Sequence, residues 1–238
     1  MKVFNNFRTQ PDCSVCIQPN PSYFCNLSQE TLQLFRAIKI TGNYPKGARL
    51  FIEGQPSEGV FILCRGRVKL VTHSRNGKAL IIRIAVPGEV LGLSATVSNF
   101  VHETTAEVIE PCQANFIGTS DFCRLLERNA DASRNAIRQL SLQNRMAHGQ
   151  IRSLGLSTCV ADKLATLLIE WAKSVPSSNG SVLLQVTFSH EEIAEMIGTS
   201  RETITRSLKD FRERRLIEIN GSEFYIGDKN RLEATIGN

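Results

Sequence analysis

Residues 187–215, TFSHEEIAEMIGTSRETITRSLKDFRERR, constrain this chain more than any other stretch, because two helix starts and a helix stop fall close together. Ser189 precedes a helical pattern and has Glu192 three residues later, the pairing of a reciprocal capping box. Ile193 and Ile197 recur at i, i+4, and Gly198 follows where a left-handed residue ends a helix. Thr199 or Ser200 caps the next helix, in which Ile204, Leu208 and Phe211 fall on one side. Arg201, Glu202, Thr205, Arg206 and Lys209 cluster on the other. Such a face suits the DNA major groove, where an arginine fork matches guanine O6 and N7 and a glutamate accepts from cytosine N4. Ser200, Arg201, Glu202, Thr205, Arg206 and Lys209 are therefore the expected DNA-binding residues. An amphipathic helical hairpin with a solvated charged face is the plainer alternative.

Charge sharpens this reading. The net charge is only +5, but residues 201–215 hold six Lys/Arg against three Asp/Glu. Residues 191–238 hold eight against ten, so contact with phosphates has to come from a patch. Hydrophobic residues make up 42%, enough for packed cores. No apolar run approaches the ~20 residues of a membrane span, and the N-terminus lacks a secretory apolar region. The expected compartment is the cytoplasm, where thiols stay reduced.

Upstream, residues 1–26 read as an irregular leader with three prolines and three cysteines. Ser28 caps a helix through Ile38, with Leu32 and Phe35 apolar. Short apolar segments then run from position 43 to 116 (RLFIEG, GVFILCRG, RVKLVTH, ALIIRIAV, TAEVI, QANFIG), punctuated by glycines. Regularly spaced short strands of this kind predict an antiparallel sandwich or jelly roll, with a two-residue hairpin at Asn76-Gly77. Helical periodicity returns after Thr119. Ile137, Leu140, Asn144, Ala147, Ile151 and Leu154 follow one another by 3, 4, 3, 4 and 3 residues, a heptad seam that predicts a homodimer contact with Asn144 setting register. Packing of that helix along its own domain is the alternative. A further helix over 158–175 buries Leu164, Leu167, Leu168 and Trp171. LLQVTF, LIEIN and EFYIG add strands around the two-helix motif, making it winged, with a turn at Asn220-Gly221. The expected class is α+β: an N-terminal antiparallel β-roll (27–123) after the leader (1–26), a dimerisation helix (124–156) and a C-terminal winged helix-turn-helix domain (157–238).

KGARLFIEGQPSEGVFILCRGRVKL, the VPGEVLG turn and IAEMIGTSRETITRSLKDFRERRLIEING together resemble the cyclic-AMP receptor/fumarate–nitrate regulator (CRP/FNR) family over almost the whole chain. The resemblance implies a dimeric transcription regulator. Its roll would sense a signal, its recognition helices would read half-sites of dyad-symmetric double-stranded DNA, and it would work with RNA polymerase. The family's base-reading positions map onto Arg201, Glu202 and Arg206. Its cyclic-AMP site needs a Gly-Glu pair and an Arg-Ser/Thr pair. The corresponding positions here are Gly92-Leu93 and Glu103-Thr104, which disfavour cyclic AMP because Leu93 accepts no hydrogen bond and Glu103 repels a phosphate.

Cys13-x2-Cys16-x8-Cys25 with the distant Cys112 is the other candidate sensor, since four thiolates hold a [4Fe–4S] cluster or zinc. The family's oxygen-sensing branch has a similar plan, although the spacing to the third cysteine and the place of Cys112 depart from it. An oxygen or redox signal is one expectation. A thiol switch, and a metal-free roll that binds another small ligand or none, are the alternatives. Cys64, Cys123 and Cys159 read as buried small hydrophobes. The four histidines show no paired spacing, and His190 reads as a surface residue in the first turn of its helix. No enzyme is expected. The His-x-His plus Glu set of a cupin is absent, as are G-x-S-x-G, a P-loop and H-E-x-x-H.

Overall fold

The strand β3 (Gly59–His73) runs unbroken for 15 residues through what the glycine spacing divides into two segments. The computed structural model describes residues 23–156, 159–173, 175 and 181–236, and β3 is its longest strand. Gly66 bends the strand and does not end it. Its φ is 80°, and the pairing with β6 (Thr105–Gly118) shifts register on both sides of it. A Cβ at Gly66 would stand 2.5 Å from the Pro111 carbonyl oxygen, so the bulge needs glycine for conformation and for close approach. β6 in turn continues through Pro111, which joins TAEVI to QANFIG.

Around this pair the sheet order is β1 (Ile40–Tyr44), β6, β3, β4 (Ala79–Ala85), with β2 (Arg49–Phe51) on β6 and β5 (Val90–Leu91) on β3. β1, β2 and β3 pair antiparallel with β6, and β5 with β3. The turn at Asn76-Gly77 is one residue longer than a two-residue hairpin. The Ser74 N–H donates to the Lys78 carbonyl, and Gly77 is left-handed at the end of the turn.

Helix α1 (Gln29–Ile38) starts where expected, with the Ser28 hydroxyl accepting from the Thr31 N–H. A short helix α2 (Leu93–Ser98), which the sequence pattern does not announce, follows β5. The long helix does not start at position 124. Residues 119–156 divide into α3 (Thr119–Arg128) and α4 (Ala130–Leu156), because Asn129 turns extended and its side chain donates to the Leu125 carbonyl. One core gathers Phe24, Phe35, Val60, Ile62, Leu93 and Phe122, with ring centroids of Phe24 and Phe122 5.6 Å apart. A second holds Leu63, Val68, Leu91, Val108, Cys112 and Ala114. Burial of each valine, leucine, isoleucine or phenylalanine side chain among them stabilises by roughly 1.5–3 kcal/mol.

α4 has two unlike faces. Ala132, Asn135, Ala136 and Gln139 are buried. The Asn135 amide donates to the carbonyls of Phe24 (3.1 Å) and Asn26 (2.8 Å). The Gln139 amide donates to Gly88 O (3.0 Å) while its oxygen accepts from the Val90 N–H (2.8 Å). Of the expected seam, Ile137 is 65% and Ile151 66% exposed. Asn144 is exposed, Leu140 and Ala147 are half-buried, and the Leu154 side chain lies outside the described residues.

The chain divides into two compact units, the boundary in α4 falling after Met146. In the second, α5 (Val160–Lys173) buries Leu164 and Leu168. Leu167 and Trp171 are only half-buried, the latter 5.3 Å from the Phe188 ring. This unit also holds residues 73–81 and β7 (Val182–Gln185), α6 (His190–Ile197), α7 (Arg201–Glu213), β8 (Glu218–Asn220), β9 (Glu223–Ile226) and α8 (Lys229–Glu233), with antiparallel sheet order β7-β9-β8. This is a helix-turn-helix with a wing.

Candidate nucleic-acid interface and sensor positions

The turn between α6 and α7 is built by short-range chemistry. The Ser189 hydroxyl accepts from the Glu192 N–H, and the Glu192 carboxylate accepts from the Ser189 N–H at 2.8 Å, closing the expected capping box. Gly198, left-handed at φ 71°, ends α6, and the Ser200 hydroxyl caps α7 by accepting from the Thr203 N–H at 3.2 Å. Ile204, Leu208 and Phe211 are buried, which fixes the rotation of α7. Arg201, Glu202, Thr205, Arg206 and Lys209 are thereby exposed together.

Their partners differ. Arg201 and Arg206 form no ion pair among the described residues, so both guanidinium forks are available. Lys209 lies 3.7 Å from Glu213, but both side chains are well exposed and such a pair is worth little. The Glu202 carboxyl is held below its ordinary range by its own backbone N–H and then by the Ser200 hydroxyl, with Arg201 and Arg206 adding to the effect. Glu202 is therefore an ionised acceptor at neutral pH. The Thr205 hydroxyl donates to the Arg201 carbonyl (3.0 Å) and sits 3.0 Å from His190 Nδ1, which makes Nδ1–H the matching donor. Reading the sequence as a surface histidine missed this link between the two helices. The signal was there only in the fold, because His190 and Thr205 are neighbours across the turn and not along one helix.

The positions expected to hold a cyclic nucleotide are occupied differently. Gly92 is left-handed at φ 77° and begins α2, Leu93 is 2% exposed in the first core, and Glu103 is exposed.

The four-cysteine site does not assemble from its described members. Cys25 packs against the first core and Cys112 lies inside the second. Burial, and then the neighbouring Cys64, push the Cys112 thiol up to about 12. Among the described residues no three His, Cys, Asp or Glu side chains gather. Cys13 and Cys16 lie outside the described residues. The three cysteines expected to be buried are not: Cys64 and Cys123 are half-buried, and Cys159 is exposed, its sulfur accepting from the Asp162 N–H. No helix among the described residues is long and apolar enough to cross a membrane.

Comparison with known proteins agrees with this architecture. Residues 41–129 match the cyclic nucleotide-binding domain family and residues 162–235 the Crp-like helix-turn-helix domain family. A CRP-like cAMP-activated global transcriptional regulator of Mycobacterium tuberculosis is 26% identical over 192 residues, covering 80% of this chain and 85% of the relative. Among solved structures, the c-di-GMP responsive global regulator CLP of Xanthomonas campestris superposes with a TM-score of 0.72 at 22% identity, covering 84% of this chain and 99% of the other. A CRP/FNR-family transcriptional regulator of Thermus thermophilus gives 0.65 at 20% identity, covering 82% and 97%. The chain carries both family domains in the family's order, and it belongs to the CRP/FNR family of DNA-binding transcription regulators.

Proposed function

We propose that the chain acts in the cytoplasm as a homodimer on dyad-symmetric double-stranded DNA, and that it responds to a small ligand other than cyclic AMP. The leader (1–26) and roll (27–123) then sense, the 124–156 region pairs the two copies, and residues 157–238 read DNA next to RNA polymerase. The observation that carries the DNA reading is the exposed α7 face with two arginines in no ion pair among the described residues and an ionised glutamate. Dimerisation is supported by the exposed apolar side chains of Ile137 and Ile151 on α4, with the exposed Asn144 between them in sequence. Against cyclic AMP stand the buried Leu93 and the carboxylate of Glu103, although the M. tuberculosis relative is named as cAMP-activated. The separate placement of Cys25 and Cys112 favours a metal-free sensor over one built on Cys13, Cys16, Cys25 and Cys112.

Selection from a random duplex library tests this reading. The enriched sites should be dyad-symmetric with half-site centres about 10–10.5 base pairs apart or a multiple of that spacing. Sedimentation of the bound complex should give two chains per site. Selected sites lacking dyad symmetry, or one chain per site, would overturn the dimer.

A further inference from the structure

We propose that the tip of the β3–β4 hairpin, residues 74–78, is a second DNA-contacting element, which grips backbone phosphates beside the recognition helix α7 through Arg75 and Lys78. The inference rests on the DNA reading above and adds a contact outside the helix-turn-helix. Residues 59–88 hold six Lys/Arg and no Asp/Glu. Three of the six have acidic partners from other segments: Arg67 pairs with Glu110 at 3.6 Å, Lys69 with Glu107 at 3.5 Å, and Arg83 with Glu89. Arg75 and Lys78 form no ion pair among the described residues, and both stand exposed at the hairpin tip.

The fold carries this charge to the helix-turn-helix. Residues 73–81 belong to the same compact unit as α6 and α7. The Lys78 ammonium donates to the Gly198 carbonyl at 2.9 Å, at the C-terminal end of α6. Gly198 lies three residues before Arg201, so the ammonium stands within about 15 Å of the first base-reading position. Along one DNA strand that distance covers about four phosphates, at about 3.4 Å of axis each. In a helix-turn-helix the first helix crosses the backbone while the start of the second meets the bases, so a cation held at the end of α6 lies beside phosphates. The Gly198 carbonyl takes one ammonium donor and leaves the charge in place, with further donors for a phosphate oxygen. The tip is also braced before DNA arrives. The Ser74 hydroxyl accepts from the Lys78 N–H at 3.0 Å, the Ser74 N–H donates to the Lys78 carbonyl, and Gly77 closes the turn at φ 77°. Behind the tip, the Gln150 amide donates to the Ile81 carbonyl at 3.0 Å. Little backbone ordering remains to oppose the contact. A lysine that only caps α6, beside a solvated Arg75, is the plainer reading, and salt dependence separates the two.

The test is a binding titration of the full chain on a selected dyad site and on random duplex, at about 50 and about 200 mM salt. Each phosphate contact contributes about 0.9 to the slope of log K against log salt. Two chains that each lose one contact lower the slope by about 1.8, so the wild-type advantage over Arg75→Ala should shrink about twelve-fold between those concentrations. The affinity loss should be equal on both duplexes, since phosphates carry no sequence information. Arg75→Lys should keep the slope, and Lys78→Met should lower it as Arg75→Ala does. Arg128→Ala, which removes an exposed charge from α3, controls for net charge alone and should leave the slope unchanged. An unchanged slope in Arg75→Ala or Lys78→Met, a loss confined to the selected site, or an equal drop in Arg128→Ala would each overturn the hairpin contact. Failure of the half-site reading shows differently, as the absence of any preferred dyad site, and the random duplex still tests the hairpin in that case.

Discussion

Replacing Gln139 by alanine tests how the roll is held to α4. The Gln139 side chain is 4% exposed and grips two backbone groups of the turn before β5, Gly88 O and Val90 N–H. The two losses are unequal. Gly88 O keeps a second donor, the Phe24 N–H at 3.1 Å, so losing the amide there costs about 0.5–1.5 kcal/mol. The Val90 N–H keeps none among the described residues, and an unsatisfied buried donor costs about 1–3 kcal/mol. The sum is about 1.5–4.5 kcal/mol, or roughly 3–18 °C for a chain of this size. Arg138→Ala, at the exposed neighbouring position, should stay within about 0.5 kcal/mol. Gln139→Glu adds a sign. Ionised, it sets a buried carboxylate against Gly88 O; protonated, it donates there, so its folded-state pKa is raised and its stability recovers as pH falls. Thermal unfolding with amide exchange at Val90 measures all three. The single tryptophan, Trp171, lies in the second unit, so its fluorescence transition should move less than the Val90 protection. If Gln139→Ala behaves like Arg138→Ala, the clamp does not carry the contact.

Arg206→Ala should cost about 1–3 kcal/mol on a selected site and less on random duplex in a binding titration. Equal losses on both would make Arg206 a phosphate contact. Asn144→Leu should tighten the dimer in sedimentation equilibrium, because an apolar residue replaces a register-setting amide in the seam. An unchanged dimer constant would move the seam elsewhere. The Cys112 thiol, raised by burial from 9.0 to about 12, stays protonated in the folded chain after an unfolded chain has ionised it. Its stabilising contribution is therefore complete below pH ~9 and lost as pH rises towards ~12. Cys112→Ala should flatten that alkaline decline in urea midpoints. Iodoacetamide at mildly alkaline pH should label the exposed Cys159 and spare Cys112.

The helix-turn-helix was legible because its determinants are neighbours in sequence. A cap, a staple of isoleucines, a left-handed glycine and a second cap need no knowledge of the rest of the chain. Where contacts join distant positions, the pattern misled. Gly66 looks like a strand boundary until Pro111 is seen across from it, and only then is it the bend within a strand. Asn135 and Gln139 carry no signal in the sequence, since polarity says nothing about a carbonyl waiting 111 or 51 residues away. His102 shows no metal or catalytic spacing, and its place comes from stacking on Phe51. The leader cysteines suggested a shared ligand set because spacing along the chain is visible and the division between two cores is not.

The two faces of α4 bear on how a signal in the roll reaches the seam. Asn135 and Gln139 lie one turn apart and hold the 24–26 turn and the 88–90 turn by directional hydrogen bonds. Ile137 sits between them in sequence and, at about 100° per residue, about 200° away around the helix. An apolar contact tolerates sliding; a bidentate amide does not, since a shift of one ångström breaks its geometry. Movement of either turn must therefore rotate or translate α4 with it, or break the clamp. In the proposed dimer that same displacement is applied to the face carrying Ile137 and Asn144. The polar residues that weaken the helix as a hydrophobic element are thus the ones that make it a rigid follower of the roll.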